Sequence, residues 1–315
     1  MNRRAFLRST STLAAYAFAP LAPTLLAART AQPSLGFSLY GMKNVPLGES
    51  LKQCKEIGYD HVEVALNKGY LTDPDLFTPA QRAALAEDLH TLGLGMPCLM
   101  VNLSLVGEKA IAEGVPTLEK ASVFAHHLNP SQPPVIETVL GGKPAEWEQL
   151  KDGMISNLRG WAEVSEKHRV TLALKAHINS AVNSPERLAF LLETVPSPAL
   201  AAAYDFSHFQ LQGIEMESSM RTLLPKTRFI HVKDSVKTEK GFRFVLPGEG
   251  DIDYLRFFSL LKKFNYTGPV CVEVSGQVFN QPGYDPRTAA LKSYQALAVP
   301  MRRVFPPSES TPAQH

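Results

Sequence analysis

The 315-residue chain has only three cysteines, Cys54, Cys98 and Cys271, and no two of them have CxxC spacing. An odd set so scattered excludes a disulfide framework. Cys98 and Cys271 fall inside apolar, strand-like runs and read as small core residues. Charge of one sign is also lacking: 32 Lys and Arg face 30 Asp and Glu, a formal net charge of +2. Arg3, Arg4 and Arg8 lie in the first few residues, and without them the body is nearly neutral. That leaves no basic face and argues against nucleic acid as a partner. There is no P-loop or other Gly-rich phosphate cradle, no internal repeat, and no Pro- or Ser-rich linker that would split the body. What remains is an ordinary soluble composition, 44% hydrophobic and 20% charged, enough for a full core.

The N-terminal stretch "NRRAFLRSTSTLAAYAFAPLAPTLLAA" has a basic start, a modest apolar run and small residues near Ala27 and Ala28. Pro20 and Pro23 break the run, which is too short for a permanent membrane span. Arg3-Arg4 followed by "AFLR" resembles a twin-arginine signal, which sends folded proteins across a bacterial inner membrane. The expectation is a signal over residues 1–28, read by the twin-arginine export machinery, and a periplasmic or secreted enzyme. The bland alternative is a chance basic start before an ordinary signal or an uncleaved anchor. At the other end, "PPSESTPAQH", residues 306–315, lacks apolar residues and reads as a disordered tail.

Between these ends, over residues 33–305, short apolar runs alternate with amphipathic segments eight times. "LGFSLYGM", "DHVEVAL", "GMPCLMVNLSL", "PPVIETVLGG", "TLALKAH", "PALAAAYDFSHF", "FIHVKDS" and "PVCVEVSG" are the strand candidates. Such alternation implies parallel strands with helical crossovers, and eight units predict an α/β fold with a single closed (β/α)8 barrel. "TPAQ" and "SPER" place Thr78 and Ser184 as N-caps, with proline at the first helical position and Gln81 or Glu186 in the first turn. "EIGY", "TLGL" and "NYTG" supply glycine near helix ends.

In "TLALKAHINS" a buried-looking run closes on Lys175, with His177 two residues later. Side chains alternate across a strand, so Lys175 and His177 share one face while Leu172, Leu174 and Ala176 take the other. The same parity recurs. His61 and Glu63 oppose Val62 and Val64, and Glu137 opposes Ile136 and Thr138. Asp205 opposes Tyr204 and Phe206, His231 and Lys233 oppose Ile230 and Val232, and Glu273 opposes Val272 and Val274. The aliphatic face should meet the helices, so the polar face lines the barrel interior near the C-terminal strand ends, where barrel enzymes build their sites. Any one of these residues is as readily a satisfied core group. The set, including Glu63, Glu137 and His177, is a candidate pocket because burying so many ionisable groups without a task is costly. His126-His127 falls on a helix and reads as surface.

These residues also carry a family pattern. Asp205-Phe-Ser-His208, then "FIHVKD", "LPGEGDID" and a strand ending "VEV", resemble the xylose isomerase-like barrels of the sugar phosphate isomerase/epimerase group. That group also takes in ketose 3-epimerases, hydroxypyruvate isomerase, inosose dehydratase and endonuclease IV. The resemblance runs in strand–helix order from about Leu35 to Phe305, and its motifs concentrate between Thr171 and Glu273. It implies one divalent metal, commonly Mn, Mg or Co, held by Asp205, His231 and Glu273. It makes His208, His177 and Lys233 substrate-contacting positions and sets Glu249 at the pocket border. The branch resembling endonuclease IV is disfavoured, because its three-metal site and basic surface do not suit this nearly neutral body.

The resemblance departs at one place: Lys175 stands where the family has its first metal-binding glutamate. The family mechanism uses two glutamates on opposite faces of a sugar, one taking the proton beside the carbonyl and one returning it, and only Glu273 remains of that pair. Three readings of Lys175 stay open. It is a proton donor or clamp beside a metal, with Glu137 as a substitute ligand. Alternatively it is an ammonium in the metal's place, stabilising an enediolate. The last is a Schiff-base nucleophile, disfavoured because nearby carboxylates keep the amine protonated. A decayed, sugar-binding barrel is the non-catalytic alternative. The expected activity is isomerisation or epimerisation of a non-phosphorylated sugar or keto sugar by proton abstraction beside a carbonyl, with Lys175 and Glu273 catalytic. A lyase or dehydratase is the runner-up, since elimination needs no second glutamate to return a proton.

Overall fold

The computed structural model describes residues 32–239 and 241–306. The signal read over residues 1–28 and all but the first residue of the tail read over 306–315 lie outside the described residues. No helix among the described residues is long and apolar enough to cross a membrane.

Eight parallel strands close a barrel. They are β1 (Ser34–Ser38), β2 (His61–Ala65), β3 (Gly95–Met100), β4 (Val135–Thr138), β5 (Leu172–Lys175), β6 (Leu200–Tyr204), β7 (Thr227–Val232) and β10 (Pro269–Val272). The first seven pair in chain order, and β10 closes the ring between β7 and β1. All eight predicted strand–helix units are present. The crossover helices are α1 (Leu47–Ile57), α2 (Pro79–Leu92), α3 (Glu108–Leu128), α4 (Trp147–His168), α5 (Pro185–Thr194), α7 (Met216–Leu223), α8 (Tyr254–Lys263) and α10 (Pro286–Val304). Two short helices, α6 (Phe206–Gln210) and α9 (Gly276–Phe279), sit just past strand ends. A two-stranded antiparallel hairpin, β8 (Asp234–Thr238) with β9 (Gly241–Val245), was not foreseen. The sequence pattern runs "FIHVKDS" on as one strand, and nothing in it marks a change of sheet.

Local chemistry explains the boundaries. Thr78 accepts from the Gln81 amide while the Gln81 side chain accepts from Thr78 N, a reciprocal capping box. Ser184 caps α5 through the Arg187 amide alone. Gly58 and Gly93 end α1 and α2 in the left-handed conformation. After α8 the left-handed residue is Asn265 rather than Gly268, which instead leads into β10.

Parity holds inside the barrel. Aliphatic Val62, Val64, Ile136, Leu172, Leu174, Ile230, Val270 and Val272 join the main core under the helices. Facing inward, Cys98, Phe229 and Cys271 pack together, and Ala173, Ala201 and Ala203 form a second, small-residue patch. All three cysteines are free and buried, as core residues should be. At the N-terminal end the His61 ring lies over Gly36, where an added Cβ would come within 2.0 Å of it, so only glycine fits. His61 therefore plugs the floor, its Nε2 3.3 Å from Ser34 O, and takes no part in the opposite face. Burial lowers its pKa to about 4, so the plug is neutral.

Candidate active site

The charged side chains of the site come from the middle or last residues of a strand or the first residue beyond it. Lys175 ends β5, Glu63 and Glu137 lie within β2 and β4, and His231 is the penultimate residue of β7. Lys233 and Glu273 follow β7 and β10 directly, and the Glu273 amide still donates to Val232 O at 3.0 Å. Asp205 follows β6 and caps α6, accepting from the Ser207 amide (3.1 Å) and hydroxyl (2.6 Å) through Oδ1.

These side chains converge. Lys175 Nζ lies 3.2 Å from Glu273 Oε2, 2.9 Å from His231 Nδ1 and 3.0 Å from Glu137 Oε1. The last is an ion pair out of hydrogen-bond alignment, so Glu137 Oε1 is buried with no hydrogen-bond partner. Lys233 Nζ bonds Asp205 Oδ2 and, at 2.6 Å, Glu273 Oε2, with its ammonium 5.1 Å from the centroid of the Phe244 ring. Beneath them Glu63 Oε2 lies 2.9 Å from His231 Nε2. His208 is buried, its ring 4.2 Å from that of His177 at a tilt of 48° and edge-on to Phe244, with Nε2 3.4 Å from Asp205 Oδ2.

A cavity of about 250 Å³ opens onto this cluster, lined among others by Tyr40, Asn102, Glu137, Lys175, His177 and Glu273. Glu137, Lys175, His177 and Glu273 thus meet at one place, as parity predicts. His177 gets there differently: β5 stops at Lys175, and His177 opens a turn in which its amide donates to Val182 O at 3.0 Å. Lys233, His208, Asp205 and His231 are held one layer away from the cavity wall, and Glu63 lies deeper still, under His231. Glu249 stands apart, 3.8 Å from Lys292 on α10. Tyr40, Asn102, Asn179 and Ser180 line the cavity without having been singled out. Their only signal was position, two to five residues past a strand end. Gly141 also lines it at φ +80°, where a Cβ would meet Ser104 Oγ at 2.2 Å.

Burial alone would raise every carboxylate here and lower every base. For Glu273 the opposing pull of Lys175, Lys233 and His231 wins, and its pKa falls well below the usual carboxylate value. For Glu137 burial wins over Lys175 and His231, aided by repulsion from Glu63 and Glu273, and its pKa is raised. Burial is the largest influence on Glu63 too, yet His231, Ser38 and Lys175 bring it below normal. His231 is raised, burial being outweighed chiefly by Glu63 and Glu273. Lys175 is pushed well up despite burial, by Glu137, Glu273, Asp205 and Glu63, so it is an ammonium. That, with its contacts to Glu137 and Glu273, weighs against the Schiff-base reading, which needs a free amine. Burial and the two lysines lower His177 to about 4 and His208 further, so both are neutral.

Asp205, His231 and Glu273 each offer a donor atom within 4.8 Å of the other two, close enough to share a metal ion. Each of those atoms already meets an ammonium: Lys233 for Asp205, Lys175 for His231 Nδ1, and both for Glu273. A divalent ion about 4 Å from one ammonium is repelled by roughly 8 kcal/mol at an effective dielectric near 20. The residues as arranged do not fit a resident divalent ion, and no step below runs through one.

Comparison with known proteins places the fold. A family model described as xylose isomerase-like TIM barrel matches residues 51–297. A putative L-ribulose-5-phosphate 3-epimerase of Haemophilus influenzae is 25% identical over 256 residues, 76% of this chain and 87% of that protein. An inosose dehydratase of Geobacillus kaustophilus is 23% identical over 279 residues, 79% of this chain and 83% of that one. Among solved structures, the IOLI protein with a bound zinc atom superposes with a TM-score of 0.73 at 20% identity, covering 87% of this chain and 99% of that chain. An L-ribulose 3-epimerase superposes with a TM-score of 0.66 at 17% identity, covering 89% and 100%.

Proposed function

The chain belongs to the xylose isomerase-like TIM-barrel family, and on that footing we propose that it is a carbohydrate isomerase or epimerase working through an enediolate. The observation that carries the reading is the pair Glu137 and Glu273. Both line one cavity, both contact the Lys175 ammonium, and their environments drive their pKa values apart. Two carboxyl groups separated in this way take the acid and base roles.

Glu273, ionised, takes the proton from the carbon beside the substrate carbonyl. The C–H electron pair forms the enediolate C=C bond, and the carbonyl pair moves to oxygen, where the Lys175 ammonium stabilises the charge. Glu137, protonated, returns a proton through its unpartnered oxygen. Delivery to the opposite face of the same carbon epimerises; delivery to the neighbouring carbon isomerises, with the hydroxyl proton of the first carbon passing to the former carbonyl oxygen as the new carbonyl forms. Exchange with water after product release restores both carboxyl groups. Glu137 thereby takes the place of the missing second glutamate, from β4 rather than β5. Neutral His177 supplies a hydrogen bond to a substrate hydroxyl at the cavity wall.

The dehydratase reading keeps the same first step. If the enediolate carries a leaving oxygen on the next carbon, Glu137 protonates that oxygen as its bond breaks. The raised pKa of Glu137 favours this reading equally, and it is the runner-up.

The export signal read at Arg3-Arg4 implies a periplasmic site of action, reached through the twin-arginine machinery. Together with the lack of a phosphate cradle it points to a non-phosphorylated sugar, keto sugar or glycoside. The test is substrate proton exchange. Free keto and aldo sugars incubated in D2O should gain deuterium beside the carbonyl, and Glu273→Gln should abolish the exchange. Saturable sugar binding with no exchange by the wild type would leave a binding protein instead.

A further inference from the structure

We propose that Lys175 and Lys233 replace the divalent ion for which Asp205, His231 and Glu273 form a donor set, and that they divide its two tasks. One task is to hold the converging carboxylates together. Lys233 performs it: its ammonium bridges Asp205 Oδ2 and Glu273 Oε2, is 3% exposed, and lies behind the cavity wall beside the Phe244 ring. The other task is to present positive charge to a substrate oxygen. Lys175 performs it, because its side chain alone of the two lines the cavity, between Glu137 and Glu273. A single ion does both from one position, whereas two ammonium groups, one at the end of β5 and one just past β7 with β6 between them, need the two positions seen here.

The packing that surrounds the lysines agrees with this division. Lys175 pairs in register with Ala203, and Ala173 with Ala201, so the wall beside the lysine stem is built of small residues. His231, which would offer Nδ1 to an ion, instead meets Lys175 through that atom while Glu63 holds Nε2 from below. Each donor of the set is thus turned toward nitrogen.

The assignment of Lys175 as the electrophile rests on the proposed reaction; the displacement of the ion does not. The experiment separates them. Protein purified without chelator is assayed for Mn, Co, Zn, Ni and Mg by elemental mass spectrometry, then titrated with Mn2+ by calorimetry, and D2O exchange is run with and without EDTA. The expected results are a wild type with far less than one ion per chain, exchange insensitive to EDTA, and a Lys175→Glu variant that binds Mn2+ at least about 100-fold more tightly. A wild type holding about one ion per chain, removed by EDTA together with exchange, overturns the proposal. So does a folded Lys175→Glu with no gain in Mn2+ affinity. If Lys175→Glu does not fold, Lys175→Met removes the charge alone, and the same gain or its absence decides. A metal-free wild type that exchanges no substrate proton defeats the proposed reaction and the electrophile, while the displacement of the ion stands.

Discussion

Replacing Lys233 with methionine tests whether the cluster is an electrostatic unit. The side chain keeps its length and most of its apolar stem, but the ammonium between Asp205 and Glu273 is lost. Both carboxylates would stay buried with one partner fewer. Breaking a buried pair by removing one member costs about 3–5 kcal/mol. In a domain of this size that is a fall in Tm of roughly 6–20 °C. The pH dependence gives a second handle. Glu273 has a folded-state pKa well below its unfolded value, so it contributes stability above the unfolded pKa, and that contribution is lost as pH falls through the folded one. Lys233 is one source of that depression. The deficit of Lys233→Met is therefore full at neutral pH and shrinks below about pH 4.3, where Glu273 protonates in the unfolded state and, in the variant, sooner in the folded state. Urea unfolding of wild type and variant at neutral and acid pH measures both. A companion Lys233→Met/Asp205→Asn variant should lose less than the sum of the two single changes, by about 0.5–3 kcal/mol. A loss under about 1 kcal/mol, as for a surface pair, or a deficit independent of pH, would refute a dry, coupled site.

Three further outcomes follow from the same contacts. Glu137→Gln should slow net epimerisation or elimination about 10²–10⁴-fold while deuterium exchange by Glu273 persists, as measured by paired turnover and exchange assays in D2O. Glu63→Gln should destabilise by about 1–3 kcal/mol, because His231 Nε2 loses its charged acceptor. His231 has a raised folded pKa, so its contribution is present below its unfolded value and lost as pH rises through the folded one; Glu63, depressed, contributes above its own unfolded value. The Glu63→Gln deficit should therefore peak between about pH 4.3 and 6.5 in chemical unfolding across pH. Gly36→Ala drives a Cβ into the His61 ring and should cost about 1–3 kcal/mol in the same assay, with His61→Ala in the double variant relieving most of it.

What could be read in the sequence and what could not divides along a physical line. Period-two alternation is a backbone property, so the eight strands and the inward set Glu63, Glu137, Lys175, His231 and Glu273 were legible before any coordinates. Depth along the barrel axis is not encoded in parity. Nothing in "DHVEV" tells that His61 plugs the floor and Glu63 props His231 instead of touching substrate. Nor does parity reach past a strand end, which is why His177 keeps its place at the cavity by a turn, and why Tyr40 and Asn102 went unmarked. The hairpin of β8 and β9 was lost for the same reason. Its residues continue the alternation of β7, and only the register Asp234–Val245 to Thr238–Gly241 reveals a separate sheet.

The two lysines also account for an asymmetry that no single residue explains. Glu137 and Glu273 both touch Lys175, both line the cavity, and both pay the same kind of desolvation penalty, yet one is raised and the other lowered. The difference is Lys233, which bonds Glu273 and does not reach Glu137. Glu273 sits between two ammonium groups and beside His231, whereas Glu137 shares one ammonium with three other carboxylates, Glu63, Asp205 and Glu273. The cluster holds four carboxyl groups against two ammonium groups, with His231 accepting from Lys175 at Nδ1 and meeting Glu63 at Nε2, so negative charge is in excess and favours a proton on a carboxyl group. Glu137, whose pKa burial raises and which has no hydrogen bond to a cation, is the group this excess favours for that proton. The acid of the proposed reaction is thus a consequence of charge balance in a dry barrel. Removing Lys233 should carry the proton toward Glu273 and weaken the base as well as the fold.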